Sequence, residues 1–347
     1  MDFQQEYVVL FNTLQVRYYG IIIVVAMLAG AIVAARLAQR DGRDPDHVWG
    51  ALTWAIIPAI IGARLWHILF PSAAQMEMGL TPQFYFENFF NLENGAIAIW
   101  SGGLSVFGAV LGGLLGVWVY FSSWHNRVAR FFFFFAIPFI YLFSAIAWVF
   151  RALWSVVRRR PRPAFKPDAT FKSDFPAGGM NVLPWLDIAG VALPLAQAIG
   201  RWANFINQEL YGPVTTLPWG ITIDAASRVA PYESLVDYPA STLFHPLFLY
   251  ESLWSLLAFI VLLQVFTRYR SRLLHGDIFL LYVMQYAFIR FVLEFLRVEV
   301  TLVGGVNWSQ VVSVVAFLLA LAIFVYRRRS GAARTPESAP PVAQNRH

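Results

Sequence analysis

The 347-residue chain contains no cysteine, and that absence removes disulfides, a thiolate nucleophile and thiolate metal sites at once. Histidine is nearly as scarce, at six, and no H-x-x-x-H or similar pair suggests a metal. Charge is scarce as well. Only 13% of residues are Asp, Glu, Lys or Arg, about half the share in a soluble domain. Residues 1–16 contain Asp2 and Glu6 but no Lys or Arg, so the positive n-region of a cleavable signal peptide is missing.

What is present is apolar sequence. Hydrophobic residues make up 58% of the chain and fall in long blocks. Seven of these, at 18–38, 48–70, 96–121, 184–205, 246–267, 277–297 and 308–326, reach the roughly 20 residues that a spanning helix needs. The fold class is therefore an all-α integral membrane protein with seven transmembrane helices. Of the 26 Lys and Arg, 20 lie in four segments, 36–46, 122–184, 268–275 and 327–347. The alternate segments 1–16, 71–95 and 298–307 hold none, and 206–245 holds only Arg228. The positive-inside rule then puts the N-terminus outside and the C-terminus in the cytoplasm. The net charge of +6 is a topology signal and not a nucleic-acid patch.

An eighth apolar block, 131–156, has basic residues on both sides: Arg127 and Arg130 before it, Arg158, Arg159, Arg160 and Arg162 after it. A full crossing would invert every later span, whereas a re-entrant or interfacial segment on the cytoplasmic face keeps the parity. Pro138 would help to bend it. Residues 122–183 thus read as a cytoplasmic insertion in a single polytopic domain, 1–329, followed by a tail, 330–347, of disordered composition.

Five arginines remain within or at the end of spans: Arg17, Arg64, Arg201, Arg290 and Arg297. An intramembrane ionisable group costs roughly 2.5–3.5 kcal/mol on insertion scales, so each is a functional candidate. Arg17 and Arg297 sit near span ends and also fit interfacial anchoring. Arg290 is mid-span. It shares one helical face with Tyr286 and Glu294, at i, i+4 and i+8. An intrahelical Arg–Glu pair would explain two of the three. Arg201 and Arg64, placed at similar depth on other helices, argue for more: several guanidiniums around one carboxylate leave positive charge that an anionic phosphate head group satisfies. Directly after Arg201 come Asn204, Asn207, Gln208 and Glu209, which implies a polar cavity open to the exterior; a hydrated helix end is the plainer alternative. The glycines from Gly102 to Gly116 permit close helix packing. Gly102 and Gly103 could also bring backbone near a ligand.

The run from Gly200 to Gly212, GRWANFINQELYG, resembles the G-R-x-x-N-F-I-N-x-E-x-x-G signature of the prolipoprotein diacylglyceryl transferase family. Supporting segments follow in family order. They are Arg17-Tyr18-Tyr19-Gly20, Gly62-Ala63-Arg64-Leu65, Trp100-Ser101-Gly102-Gly103-Leu104-Ser105, His245-Pro246 with Leu249-Tyr250-Glu251, Gly276-Asp277, and Tyr286-x3-Arg290-x3-Glu294 with Phe295 and Arg297. The resemblance implies transfer of the diacylglyceryl group from phosphatidylglycerol to the lipobox cysteine of a prolipoprotein, without metal or cofactor. It implies a multi-pass protein of the bacterial cytoplasmic membrane, in contact with membrane lipids. By the same resemblance Arg201, Arg290 and Glu294 are catalytic. Tyr19, Arg64, Gly102, Gly103, Asn204, Asn207, Glu209, Gly212 and Tyr286 contact substrate.

One departure stands out. Many family members carry histidine two residues after the serine of the G-G-L-S segment, and here that position is Phe107, which cannot titrate. Glu294, His245 and water are candidate proton acceptors. An inactive or altered paralogue that binds anionic lipid is a second reading. A lipid or solute transporter is a third; against it, the chain shows no internal repeat.

Overall fold

The computed structural model describes residues 7–10, 14–71, 73–99, 102–157, 164–165, 170, 173, 175–298, 300, 302–303 and 305–330. Trp100, Ser101, most of 158–174 and the tail from 331 lie outside them, so those expectations are not addressed. The described chain is helical, with three short two-stranded antiparallel sheets. Strands β1 (Tyr7–Leu10) and β2 (Leu14–Arg17) lead into α1 (Tyr18–Arg40). Next come α2 (Asp46–Leu69), α3 (Ala73–Glu77), α4 (Pro82–Glu87), α5 (Val106–Phe121) and α6 (His125–Val157). After α7 (Leu183–Ile206), β3 (Ile221–Thr222) pairs with β4 (Leu243–Phe244). Helices α8 (Leu247–Tyr269) and α9 (Asp277–Leu293) follow, then β5 (Leu302–Val303), β6 (Val306–Asn307) and α10 (Trp308–Arg329).

Seven of these helices are long and apolar enough to cross a membrane. They are not quite the seven read from sequence. Helix α5 has 16 residues, about 24 Å at 1.5 Å per residue, because the expected span 96–121 begins with a glycine turn instead of helix. Conversely, the apolar block 131–156 lies in a single helix, α6, that continues through Pro138. Its side chains from Phe131 to Phe150 are largely exposed.

The chain divides into two compact units, residues 46–182 and residues 1–45 with 183–347. In the first, α2 and α5 pack backbone to backbone. A Cβ on Gly108 would meet the Gly62 carbonyl, on Gly112 the Pro58 carbonyl and on Gly116 the Trp54 carbonyl. Three glycines four apart place that bare strip on one helical face.

In the second unit α7 is central and touches α1, α8 and α9, while α10 packs on α9. Its start is pinned by charge. Asp187, wholly buried, accepts from the Gly276, Ile278 and Phe279 amides at 2.8, 2.9 and 3.2 Å and from Arg270 at 2.9 Å. Those amides are the unpaired donors at the start of α9, so one carboxylate caps the neighbouring helix. Gly276 has φ +96°, a conformation that favours glycine. Asp277 beside it, also fully buried, takes Arg327 at 3.4 Å and Arg328 at 3.1 Å from the end of α10.

Candidate active site

At the other end of α7 and α9 a second charged cluster forms, and it brings together residues far apart in sequence. Arg201, from the last turns of α7, is ion-paired through Nε with Glu251 of α8. The other Glu251 oxygen lies 3.8 Å from Arg290 of α9. Arg290 in turn meets Glu294, one turn on, at 3.0 Å. Glu251 is 8% exposed and Glu294 3%, whereas the guanidinium-bearing side chains are 22% and 20% exposed. The acids are thus the buried floor and the arginines the accessible rim. Arg297 follows on the same segment, half-buried and within electrostatic reach of Arg290, Glu294, Glu251 and Arg201. Three guanidiniums against two carboxylates leave one positive charge.

The signature segment supplies the next layer. Arg201 Nη1 donates to Asn204 Oδ1 at 3.4 Å, and Asn204 Nδ2 to Glu209 at 2.7 Å. Asn207 reaches the same Glu209 oxygen at 3.5 Å. Such a tight cluster of polar side chains needs an abrupt turn, and Gln208 and Leu210 adopt φ of +53° and +58°, uncommon for residues with a Cβ. Gln208 is held there by a two-way bond with Asp224, whose amide donates to Oε1 at 2.6 Å while Nε2 donates to the carboxylate at 2.7 Å. Gly212 closes the segment. Its amide donates to the His245 carbonyl at 2.8 Å, and a Cβ there would press on the Leu296 carbonyl and His245. Gly212 is thereby a packing position that lets the loop rest on the residues just before Arg297.

Tyr286, one turn before Arg290, stacks its ring on Tyr282 at 6.2 Å, and its hydroxyl has no hydrogen bond among the described residues. Tyr19 is half-buried at the start of α1 and makes no hydrogen bond to the arginines among those residues. His245 lies beside the cluster through its neighbour: its Nδ1 is 3.0 Å from the hydroxyl of Tyr250, which also accepts from Trp219 at 3.0 Å. Arg228, the single arginine between α7 and α8, spends its guanidinium on the carbonyls of Ile223, Tyr238 and Pro239 and is a structural clamp.

Arg64, with Gly102 and Gly103, belongs to the other unit, and the structure gives it a specific task. Its guanidinium donates to the carbonyls of Gly95 and Gly102 at 2.7 Å, Ala96 at 2.9 Å and Gly103 at 3.3 Å. With 6% exposure it is satisfied by backbone. Gly102 and Gly103, at φ +91° and +67°, turn their carbonyls toward it. Arg64 therefore gathers the carbonyls of Gly95, Ala96, Gly102 and Gly103 around one guanidinium. Phe107 just beyond is 71% exposed and lies 6.0 Å from the Trp66 ring.

Two residues escaped the sequence reading. Glu251, absent from the expected site, bridges both principal arginines. Arg297, read as an interfacial anchor, joins the cluster. Among the described residues no three histidine, aspartate or glutamate side chains converge as they would on a metal ion.

The chain is also similar to known proteins. The chain matches the family described as prolipoprotein diacylglyceryl transferase over residues 6–150 and 170–326. Among similar proteins are the phosphatidylglycerol–prolipoprotein diacylglyceryl transferases of Chloroflexus aggregans, Pediococcus pentosaceus and Thermotoga maritima, each 31% identical. The alignments cover 95, 93 and 94% of this chain and 93, 90 and 85% of the respective relatives. The family match skips 151–169, the end of α6 and the basic segment after it. With seven helices fit to span and an alignment running almost end to end, this multi-pass membrane protein belongs to the prolipoprotein diacylglyceryl transferase family.

Proposed function

We propose that this protein is a transferase that moves the sn-1,2-diacylglyceryl group from phosphatidylglycerol to the lipobox cysteine thiol of prolipoproteins, the first step of lipoprotein maturation. The observation that carries the reading is the excess positive charge of the Arg201–Glu251–Arg290–Glu294–Arg297 cluster in a member of this family. The substrate sulfur attacks the glyceryl carbon that bears the phosphate. The carbon–oxygen bond breaks, its electron pair stays on the phosphate oxygen, and glycerol 1-phosphate departs. The thiol proton passes to a neighbouring base or to water, since Phe107 cannot take it.

Charge grows on the leaving phosphate, so preorganised cations aimed at it lower the barrier. Arg201 and Arg290 bind the phosphate and polarise the scissile bond. Glu251 holds both guanidiniums in place, Glu294 orients Arg290, and Asn204 donates to phosphate or glyceryl oxygens. Asn207 and Glu209 keep Asn204 in position. Fixing the guanidiniums beforehand avoids reorganisation when the charge develops.

Purified protein mixed with phosphatidylglycerol and a lipobox peptide should give a diacylglyceryl adduct by mass spectrometry. Absence of the adduct from folded protein would favour the inactive-paralogue reading. The proposed orientation in the bacterial cytoplasmic membrane, N-terminus outside, is tested by labelling Ala164→Cys in cells. Labelling from the outside would refute it.

A further inference from the structure

In the unit formed by residues 46–182, a cavity of about 510 Å³ opens where α5 gives way to α6. Ser123, Asn126, Arg127, Arg130, Ser173 and Ala177 line it. Its wall is tied down by the fold. Asn126 accepts from the Ser173 hydroxyl at 2.6 Å and donates to the Phe175 carbonyl at 3.0 Å. The Phe175 ring stacks on His125 at 3.9 Å, and the Met180 amide donates to the Phe121 carbonyl at 2.9 Å. Ser173 and the segment from Phe175 to Met180 are thereby fastened across the junction of the two helices.

The lining carries charge of one sign. Arg127 and Arg130, three residues apart, lie on one face of α6. Among the described residues no carboxylate lines the cavity. The Arg127 guanidinium lies 5.3 Å from the Trp124 ring and makes no hydrogen bond or ion pair among the described residues. Ser173 and Asn126 are spent on each other and on Phe175, so Arg127 is the group left to meet a ligand, and Arg130 adds a second positive charge.

Directly beyond Arg130 the character of the helix reverses. Phe131, Phe132, Phe134 and Phe135 are each more than half exposed, and at 3.6 residues per turn they point to several sides of α6. Hydrocarbon suits such a surface and water does not. A free phosphate would match the arginines alone. A molecule with a phosphate at one end and acyl chains at the other matches both halves. Arginine meets phosphate as a planar fork, and Trp124 beside it is of the type enriched at the depth of lipid head groups. A zwitterionic head group would bring its own cation toward two arginines, so an anionic one fits better.

We propose that this cavity is a head-group site for an anionic phospholipid, with Arg127 and Arg130 on the phosphate and the acyl chains along the phenylalanines of α6. It belongs to a different unit from the Arg201–Arg290 cluster and does not rest on the lipid-transfer reading, because the lipid here is held and not consumed. The plainer alternative is a helix that lies in lipid without selecting it.

The experiment places the full-length protein in phosphatidylcholine vesicles with a trace of either of two photoreactive probes. One is phosphatidic acid and the other phosphatidylcholine, each with a diazirine on its acyl chain near the ester. After irradiation, adducts on the peptide 123–135 are counted by mass spectrometry. Wild type should label about five- to tenfold more with the anionic probe, the scale set by arginine at a membrane surface. The ratio should fall about two- to threefold in Arg127→Gln and in Arg130→Gln, and close to one in the double variant. Displacement of a helix lowers both labels together and leaves the ratio unchanged. Equal labelling of wild type by the two probes, or a ratio that survives in the double variant, would overturn the site. So would loss of the anionic label on adding excess inorganic phosphate, which would mark the cavity as one for soluble phosphate.

Discussion

The two ends of the α7–α9 pair both gather arginines around buried carboxylates, and their construction differs in one respect that decides their use. At the Asp187 end the acid is saturated. Three backbone amides and Arg270 surround it, and Asp277 beside it is matched by Arg327 and Arg328. At the Glu251 end no backbone amide donates to either acid among the described residues, and the partners of the acids are the side chains of Arg201 and Arg290. In the first arrangement the acid spends itself on helix amides and fastens neighbouring helices. In the second the acids hold arginine side chains alone. A buried ion pair is weak evidence of function by itself. The informative difference is what each acid holds: helix amides at one end, arginine side chains alone at the other.

Substitutions at the two ends should therefore separate activity from stability. Arg201→Ala removes a phosphate contact and should lower transfer at least about a hundredfold, the scale of losing one preorganised donor, with little change in unfolding temperature. Asp187→Ala strips the acceptor from three amides and one of the two carboxylates, the other being Asp41, from Arg270, a loss of about 3–5 kcal/mol. Thermal unfolding in detergent should show it, while transfer per folded molecule stays near wild type. Glu251→Gln keeps the shape of the bridge but not its charge. It should lower the rate about tenfold by loosening both guanidiniums, without loss of lipid affinity; weakened lipid binding would mean that the acid contributes to the docking surface itself. Arg64→Lys tests the clamp in the other unit. A lysine cannot fork to four carbonyls, so unfolding should be easier by about 1–3 kcal/mol, and a rate loss should track the loss of folded protein.

Much of this was legible in the sequence, for physical reasons that also explain what was missed. Blocks of apolar residues and the rhythm of basic loops announce spanning helices because lipid tolerates nothing else. Tyr286, Arg290 and Glu294 could be placed on one face because they share a helix. Glu251 belongs to another helix, and its pairing with Arg201 and Arg290 is set by how α7, α8 and α9 lean together. Still, the cost argument applied to each intramembrane arginine holds equally for an acid early in an apolar block, and it points to Glu251. The partners of Arg64 were illegible for a different reason. Its cost is met by carbonyls of a glycine turn, and periodicity carries no trace of such partners. The 96–121 block looked like one span because glycine is nearly neutral in hydropathy, although Gly102 and Gly103 adopt conformations that stop a helix from forming. Residues 131–156 show the converse, since one helix, α6, continues through Pro138.

The comparison between the two ends is tested most directly by removing one arginine from each and measuring diacylglyceryl transfer per folded molecule. Arg290→Ala should abolish transfer from phosphatidylglycerol to a lipobox peptide at an almost unchanged unfolding temperature. Arg270→Ala should unfold at a lower temperature yet still transfer. Retained transfer in Arg290→Ala, with the protein folded, would contradict the account.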